Sequence, residues 1–213
     1  MSKKIVHILG NGDMAQLMPE PLRYDREGKM LICNIPPFEV HKVYACCIVD
    51  FKMMKNLHKG VVNLDAYKWV LGNRPKIYMD QKPSFYMQHA YHIREFYTTV
   101  PKYCGPRPDI AATNFNCGHF ATHYAMRKHE AEEVHLWGFD SIMDHNMRSY
   151  TDVVLPSDRN NTNNYKLLDV WRPIWSNMFK EFKDRKFVLH HNHNNSKVKL
   201  PDNVRVEVHG KKK

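Results

Sequence analysis

The residues able to do chemistry fall in a few short stretches: Gly10-Asn11-Gly12, Asn34, Asn116-Cys117-Gly118, Asp140, His145 and Tyr150. Gly10-Asn11-Gly12-Asp13-Met14-Ala15 matches the relaxed G-x-G-x-x-A fingerprint, in which glycines turn the chain tightly and let its backbone approach a phosphate. Glycines after a strand also serve purely structural turns, so the pattern alone does not separate the two uses. Asn116-Cys117-Gly118 opens a helical pattern, and a helix N-terminus presents unpaired N–H groups to anions. Asn34 ends an apolar run, the place where a nicotinamide-dinucleotide site carries Asp or Glu for the ribose hydroxyls. An amide both donates and accepts, so Asn34 is suited to a ribose or a base edge and argues against a dehydrogenase. Asp140 ends another apolar run, and the polar stretch from Ser141 to Tyr150, with His145 and Arg148, reads as a substrate loop.

These residues need strands and helices to bring them together. Lys4 to Leu9, Met30 to Asn34, Val43 to Asp50 and Val134 to Trp137 are short and β-rich, and Val43 to Val49 is nearly all apolar, as expected of a parallel strand buried on both faces. Pro75 to Met79 reads as a further short strand, whereas Val61 to Gly72 is ambiguous. From Pro83 to Pro108 the aromatics either stack on bases or, at the spacing 86, 89, 93, 96, 97, face an amphipathic helix toward the sheet, which is the better fit. Cys117, Phe120, Ala121, Tyr124 and Ala125 form a helical stripe, and Leu167 to Phe182 trace another, kinked or restarted at Pro173. Lys186 to Leu189 reads as the last parallel strand, with Val204 to Val208 as a half-exposed edge. The expected fold is a single α/β domain over residues 1–213, a mostly parallel sheet flanked by helices. A polar lid loop is expected near 141–165 and a mobile basic tail at about 209–213.

Composition narrows the partners. The chain has 213 residues, 32 Lys+Arg against 22 Asp+Glu and a formal charge of +10, which suits an anionic partner: a nucleotide, nucleic acid or an acidic surface. Its 5 cysteines include no C-x-x-C pair, which argues against a disulfide framework or a zinc module and for a cytoplasmic location. No apolar run reaches membrane-spanning length. His190 to His193 invite a metal, but no acidic or cysteine residue lies near them in sequence, so a polar strand-end loop is the expectation and no metal site is assigned.

Gly10-Asn11-Gly12, Cys33-Asn34, Asn116-Cys117-Gly118 and Gly138-Phe139-Asp140, in that order, resemble the bacterial cell-surface sialyltransferases and the wider Rossmann-like group containing the hydroxymethylpterin pyrophosphokinases. The resemblance spans about residues 4 to 190. It implies a cytidine monophosphate-sugar across the strand ends, with Asn11 at the donor phosphate, Asn34 at the nucleoside, Asn116 to Gly118 at phosphate and ribose, and Tyr150 at the departing phosphate. It implies no required metal or cofactor. The expected activity is that of a glycosyltransferase moving a sugar from the activated donor to a hydroxyl acceptor, with His145 or Asp140 as general base. A pyrophosphokinase would use the same cradle with Mg2+ held by carboxylates such as Asp50 or Asp140. The loop from Arg159 to Asn163 lacks the histidine that the sialyltransferases use, which motivates a third reading, a non-catalytic nucleotide- or nucleic-acid-binding protein.

Overall fold

The structure, a computed structural model, describes residues 3–101, 103, 115–145, 148–155 and 166–210. One eight-stranded sheet runs through it in the order β5-β4-β3-β2-β1-β6-β7-β8, every pair parallel. The strands are β1 (Ile5–Leu9), β2 (Lys29–Cys33), β3 (Val43–Ile48), β4 (Trp69–Leu71), β5 (Ile93–Phe96), β6 (Glu133–Trp137), β7 (Lys186–His191) and β8 (Val204–Val208). From β1 the chain steps outward strand by strand to β5, then crosses back to lay β6 on the other side of β1. That reversal is the topological switch point, where the crevice between diverging loops lies at the carboxyl ends of the strands. The fold is Rossmann-like, and the sheet is wholly rather than mostly parallel.

Helices cover both faces because the strand side chains are apolar on both. On one face α5 (Cys117–Lys128) and α8 (Arg172–Glu181) pack on Val6, Ile8, Leu31, Val134 and Leu136 through Phe120, Ala121, Tyr124, Ile174 and Trp175. The stripe expected from Cys117 to Ala125 is buried as read. On the other face α2 (Phe51–His58), α3 (Asn73–Asp80) and α4 (Pro83–His89) pack Met53, Met54, Leu57, Tyr78, Met79 and Phe85 on Met30, Ile32, Cys46 and Trp69. A short helix, α1 (Glu20–Tyr24), follows a 3-10 turn at Asp13–Leu17. The last two, α6 (Asp140–Met143) and α7 (Tyr150–Val154), lie after β6. Among the described residues, no helix is long and apolar enough to cross a membrane.

Several local expectations are corrected. Pro75 to Met79 is helical, not a strand: Pro75 sits in the first turn of α3, where its missing N–H costs nothing, and the buried Pro75, Tyr78 and Met79 recur at helical spacing. The aromatic stretch after Pro83 is not one helix; α4 ends at His89 and Ile93–Phe96 becomes β5, at the sheet edge. Lys186 to Leu189 is not the last parallel strand, since β8 pairs parallel with β7 and takes the edge. His190 and His191 belong to β7 and are buried, rather than forming a polar loop. The stretch from Ser141 to Tyr150 is in part helical, as the ends of α6 and α7. Pro173 does mark a restart, a π-helical segment at Lys166–Trp171 giving way to α8. Residues 146–147 and 156–165 of the expected lid, and 211–213 of the basic tail, lie outside the described residues.

Candidate functional site

The switch point is built from glycine loops that interlock. The β1–β6 ladder continues past the strand ends, Gly10 N donating to Trp137 O at 2.8 Å and Gly12 N to Gly138 O at 3.0 Å. A Cβ on Gly10 would lie 2.7 Å from Gly138 O, and one on Gly12 2.6 Å from the Asp140 carboxyl. These glycines thus permit contact between two loops of the protein itself. Gly138 has φ +75°, in the left-handed region that favours glycine, with Ala15 pressed against it.

Asp140 fills the space that Gly12 leaves. Its two carboxylate oxygens both accept from Met14 N at 3.2 Å, and the residue is 3% exposed. Met14 is in the first turn of the 3-10 segment, so an internal carboxylate holds the amide that a phosphate would take from a dinucleotide fingerprint. Burial pushes the Asp140 pKa up to about 6, with the Met14 hydrogen bond opposing the rise and the nearby Asp13 adding to it.

The flanking loops close around this junction. Asn116 caps α5, its Oδ1 accepting from His119 N at 2.9 Å while His119 Nδ1 accepts from Asn116 N at 3.3 Å. His119 Nε2 then donates to Trp171 O at 3.0 Å, tying α5 to the segment ahead of α8. Burial lowers the His119 pKa to about 3, so it stays neutral and structural. Gly118 makes room for the Phe139 ring. Cys117 Sγ donates to Asn34 Oδ1 at 3.2 Å, joining the β2 end to the start of α5. Asn34 adopts φ 55°, a left-handed conformation that asparagine tolerates, and its carbonyl accepts from Cys46 Sγ at 3.1 Å. Burial raises the thiol pKa of Cys33, Cys46 and Cys47 above the ordinary range, which rules these out as nucleophiles near neutral pH.

Asn11 bridges two loops, its Nδ2 donating to Ile35 O and its own carbonyl accepting from Tyr150 N at 2.8 Å. Arg148 lies 3.8 Å from Asp13. The chain from Arg148 to Leu155 thus crosses over the glycine loop and is latched at its far end by Lys52 Nζ on Leu155 O, at 2.7 Å. Beneath α7 is a cleft of about 290 Å³, with Asn34, Asp50, Lys52, Arg74, Thr151 and Asp152 in its lining. Thr151 is 7% exposed, and its hydroxyl has no hydrogen-bond partner among the described residues. Arg74 Nη1 and Asp50 Oδ1 are 4.0 Å apart. A cleft of this size is at the small end of ligand pockets, roughly 300–1,000 Å³.

Of the residues expected from sequence, Gly10, Asn11, Gly12, Asn34, Asn116, Cys117, Gly118, Asp140 and Tyr150 are gathered at one edge of the sheet. His145 is exposed, and no hydrogen bond joins it to them among the described residues. Lys52, Arg74, Thr151 and Asp152, which line the cleft, were not assigned to the site from sequence. The usable signal was position: Lys52 and Arg74 directly follow β3 and β4, whose carboxyl ends share an edge with Gly10 and Asn34. No family model, curated protein or solved structure matches the chain.

Proposed function

We propose that the chain is a nucleotide-dependent transferase of the glycosyltransferase type, using a cytidine monophosphate-sugar or a similar activated donor. The observation that carries the reading is the meeting, beside the β1–β6 switch point, of Asn34 and the Asn116–Gly118 loop with a cleft that follows β3 and β4 and is lined by Lys52 and Arg74. In the proposed arrangement Asn34 meets the nucleoside and the two cations face the phosphate. The donor phosphate lies on the cleft side of Asn34 rather than on the glycine loop, because Met14 N is already taken by Asp140.

The chemistry is a displacement. The acceptor hydroxyl gives its proton to a carboxylate, its oxygen bonds to the anomeric carbon, and the bond from that carbon to the phosphate oxygen breaks with the electron pair leaving on the nucleotide. Fixed cations at the developing charge supply the stabilisation, with Lys52 and Arg74 placed for it and the half-exposed Tyr150 beside Asn11. Asp140, with a pKa near 6, is matched to the base role. Access to it requires the Arg148–Leu155 crossing to lift and the Tyr150–Asn11 bond to break. His145 receives no role.

Asp50 and Asp152 share the cleft with Lys52, which favours one second reading, a pyrophosphokinase with Mg2+ on those carboxylates. A thermal-shift panel of cytidine, uridine, guanosine and adenosine nucleotides, each with EDTA and with Mg2+, tests both, since a ligand that binds only the folded state raises Tm by mass action. A cytidine nucleotide effect that persists in EDTA and is lost in Asn34→Ala and Arg74→Ala supports the transferase. A shift requiring Mg2+ supports the second reading, and no shift with any nucleotide refutes both.

A further inference from the structure

Outside the cleft, the carboxyl end of β7 carries a second cluster. β7 sends His190 to one face of the sheet and His191 to the other. His190 stacks on Trp137 with ring centroids 3.4 Å apart. His191 is 1% exposed, and neither of its ring nitrogens has an aligned hydrogen-bond partner among the described residues. A buried polar ring without partners is costly unless something occupies its lone pair. What faces it is the carboxylate of Asp144, Oδ2 lying 3.4 Å from His191 Nε2, while Asp144 Oδ1 is 2.9 Å from Nε2 of His193.

We propose that Asp144, His191 and His193 form a binding site for a late first-row divalent metal ion such as Zn2+. The three donor atoms lie within 4.8 Å of one another. Metal–ligand bonds of about 2.0–2.2 Å place donors roughly 3–3.6 Å apart, so rotamer shifts of about 1 Å close the site. Two imidazoles and one carboxylate suit Zn2+, Co2+, Ni2+ or Fe2+ better than Mg2+ or Ca2+, which prefer all-oxygen sets. The support is firm: Arg172 donates from Nε to Ser141 O at 3.0 Å and from Nη2 to Asp144 O at 2.7 Å, fixing the end of α6 that carries the carboxylate. His193 and Asp144 are partly exposed, which leaves an entry path and an open coordination position.

The Asn195 amide donates to His193 Nδ1 at 3.2 Å, so without metal the Nε2 proton points at Asp144. Loading moves that proton to Nδ1, places the ion on Nε2 and gives up the long Asn195 contact. Two other groupings are poorer hosts. Both nitrogens of His190 are engaged, by His135 at 2.9 Å and His209 at 2.8 Å. His89 and His92 stand 3.8 and 3.7 Å from Asp65 with their rings stacked on Trp69.

The experiment uses untagged full-length protein stripped by chelator, titrated with ZnCl2 by calorimetry and with CoCl2 by visible absorption. One equivalent is expected, with d–d bands of a nitrogen- and oxygen-liganded Co2+. Asp144→Ala and His193→Ala, both at partly exposed positions, should weaken binding by on the order of 100-fold or more, and His209→Ala should leave it unchanged. His191→Asn should abolish binding, with Tm in EDTA showing whether that variant remains folded. The proposal fails if the wild-type protein takes up no stoichiometric metal, if affinity survives both Asp144→Ala and His193→Ala, or if His209→Ala removes it.

Discussion

Replacing Asp140 by Asn isolates the energetic burden of the carboxylate at the loop junction. Its pKa stands at about 6 in the folded protein against an ordinary 3.8. The folded state therefore binds more protons than the unfolded chain between those values, and the Asp140 contribution to stability falls as pH rises through them. A shift of roughly 2 units is worth about 3 kcal/mol once the group is fully ionised in both states. Linkage puts the penalty at about half a kcal/mol at pH 4, between about 1 and 2 at pH 5, and about 3 at pH 7.5. An asparagine has no such penalty and keeps an oxygen for Met14 N; the charge-assisted share of the wild-type bond is already contained in the pKa of about 6. Buried histidines push the other way. Burial lowers His7, His119, His123 and His190 to about 4, 3, 4 and 2, so each loses stability for the fold as pH drops below 6.5. Those contributions cancel when variant and wild type are compared at each pH. Urea unfolding followed by circular dichroism should show the Asp140→Asn advantage growing by about 2 kcal/mol between about pH 4 and 7.5. A flat difference, or one that favours wild type increasingly as pH rises, would refute the reasoning by showing that the carboxylate is stabilised where it sits.

Gly12→Ala tests the contact from the other side: a Cβ 2.6 Å from the Asp140 carboxyl and 2.7 Å from Gly138 O has only backbone and a buried side chain to displace. Stability should drop by roughly 1–3 kcal/mol, read as a lower Tm, and an unchanged Tm would mean the loops are not in contact. Asn116→Ala removes the capping oxygen from His119 N and should cost about 1 kcal/mol in urea unfolding. Asn116→Asp, which keeps an acceptor, should restore most of that loss, whereas equal losses in both variants would assign the effect to something other than the cap.

The parts of the fold legible in sequence were those specified locally. β1 and β3 announce themselves as short unbroken apolar runs, and α5 through its apolar stripe and its cap in Asn116. α3 was misread because Ile77 and Tyr78 have β-forming side chains, and only packing, with Pro75, Tyr78 and Met79 buried, decides in favour of the helix. The candidate metal cluster was hidden for a different reason. His191 and His193 appear without an acid because theirs, Asp144, arrives from the end of α6, and β6 and β7 have to lie side by side before the three can meet. Non-local pairing of this kind leaves no mark in any window of sequence.

The fingerprint at Gly10 to Ala15 shows how one steric requirement can serve two chemistries. A phosphate and an internal carboxylate both need the glycine side chains absent, and both seek the amides of the turn. What separates the two uses is the partner of Met14 N, here Asp140. A motif that reads as phosphate-binding therefore welds β1 to β6, while the cations that line the cleft follow β3 and β4, at Lys52 and Arg74. Under the proposed function the two regions divide the work. The glycine junction fixes the position of Asn34 through Cys117, and the neighbouring cleft supplies the charge. On this division Arg74→Ala should abolish nucleotide binding with little change in stability, and Gly12→Ala should lower stability first and affect binding only as far as the junction shifts.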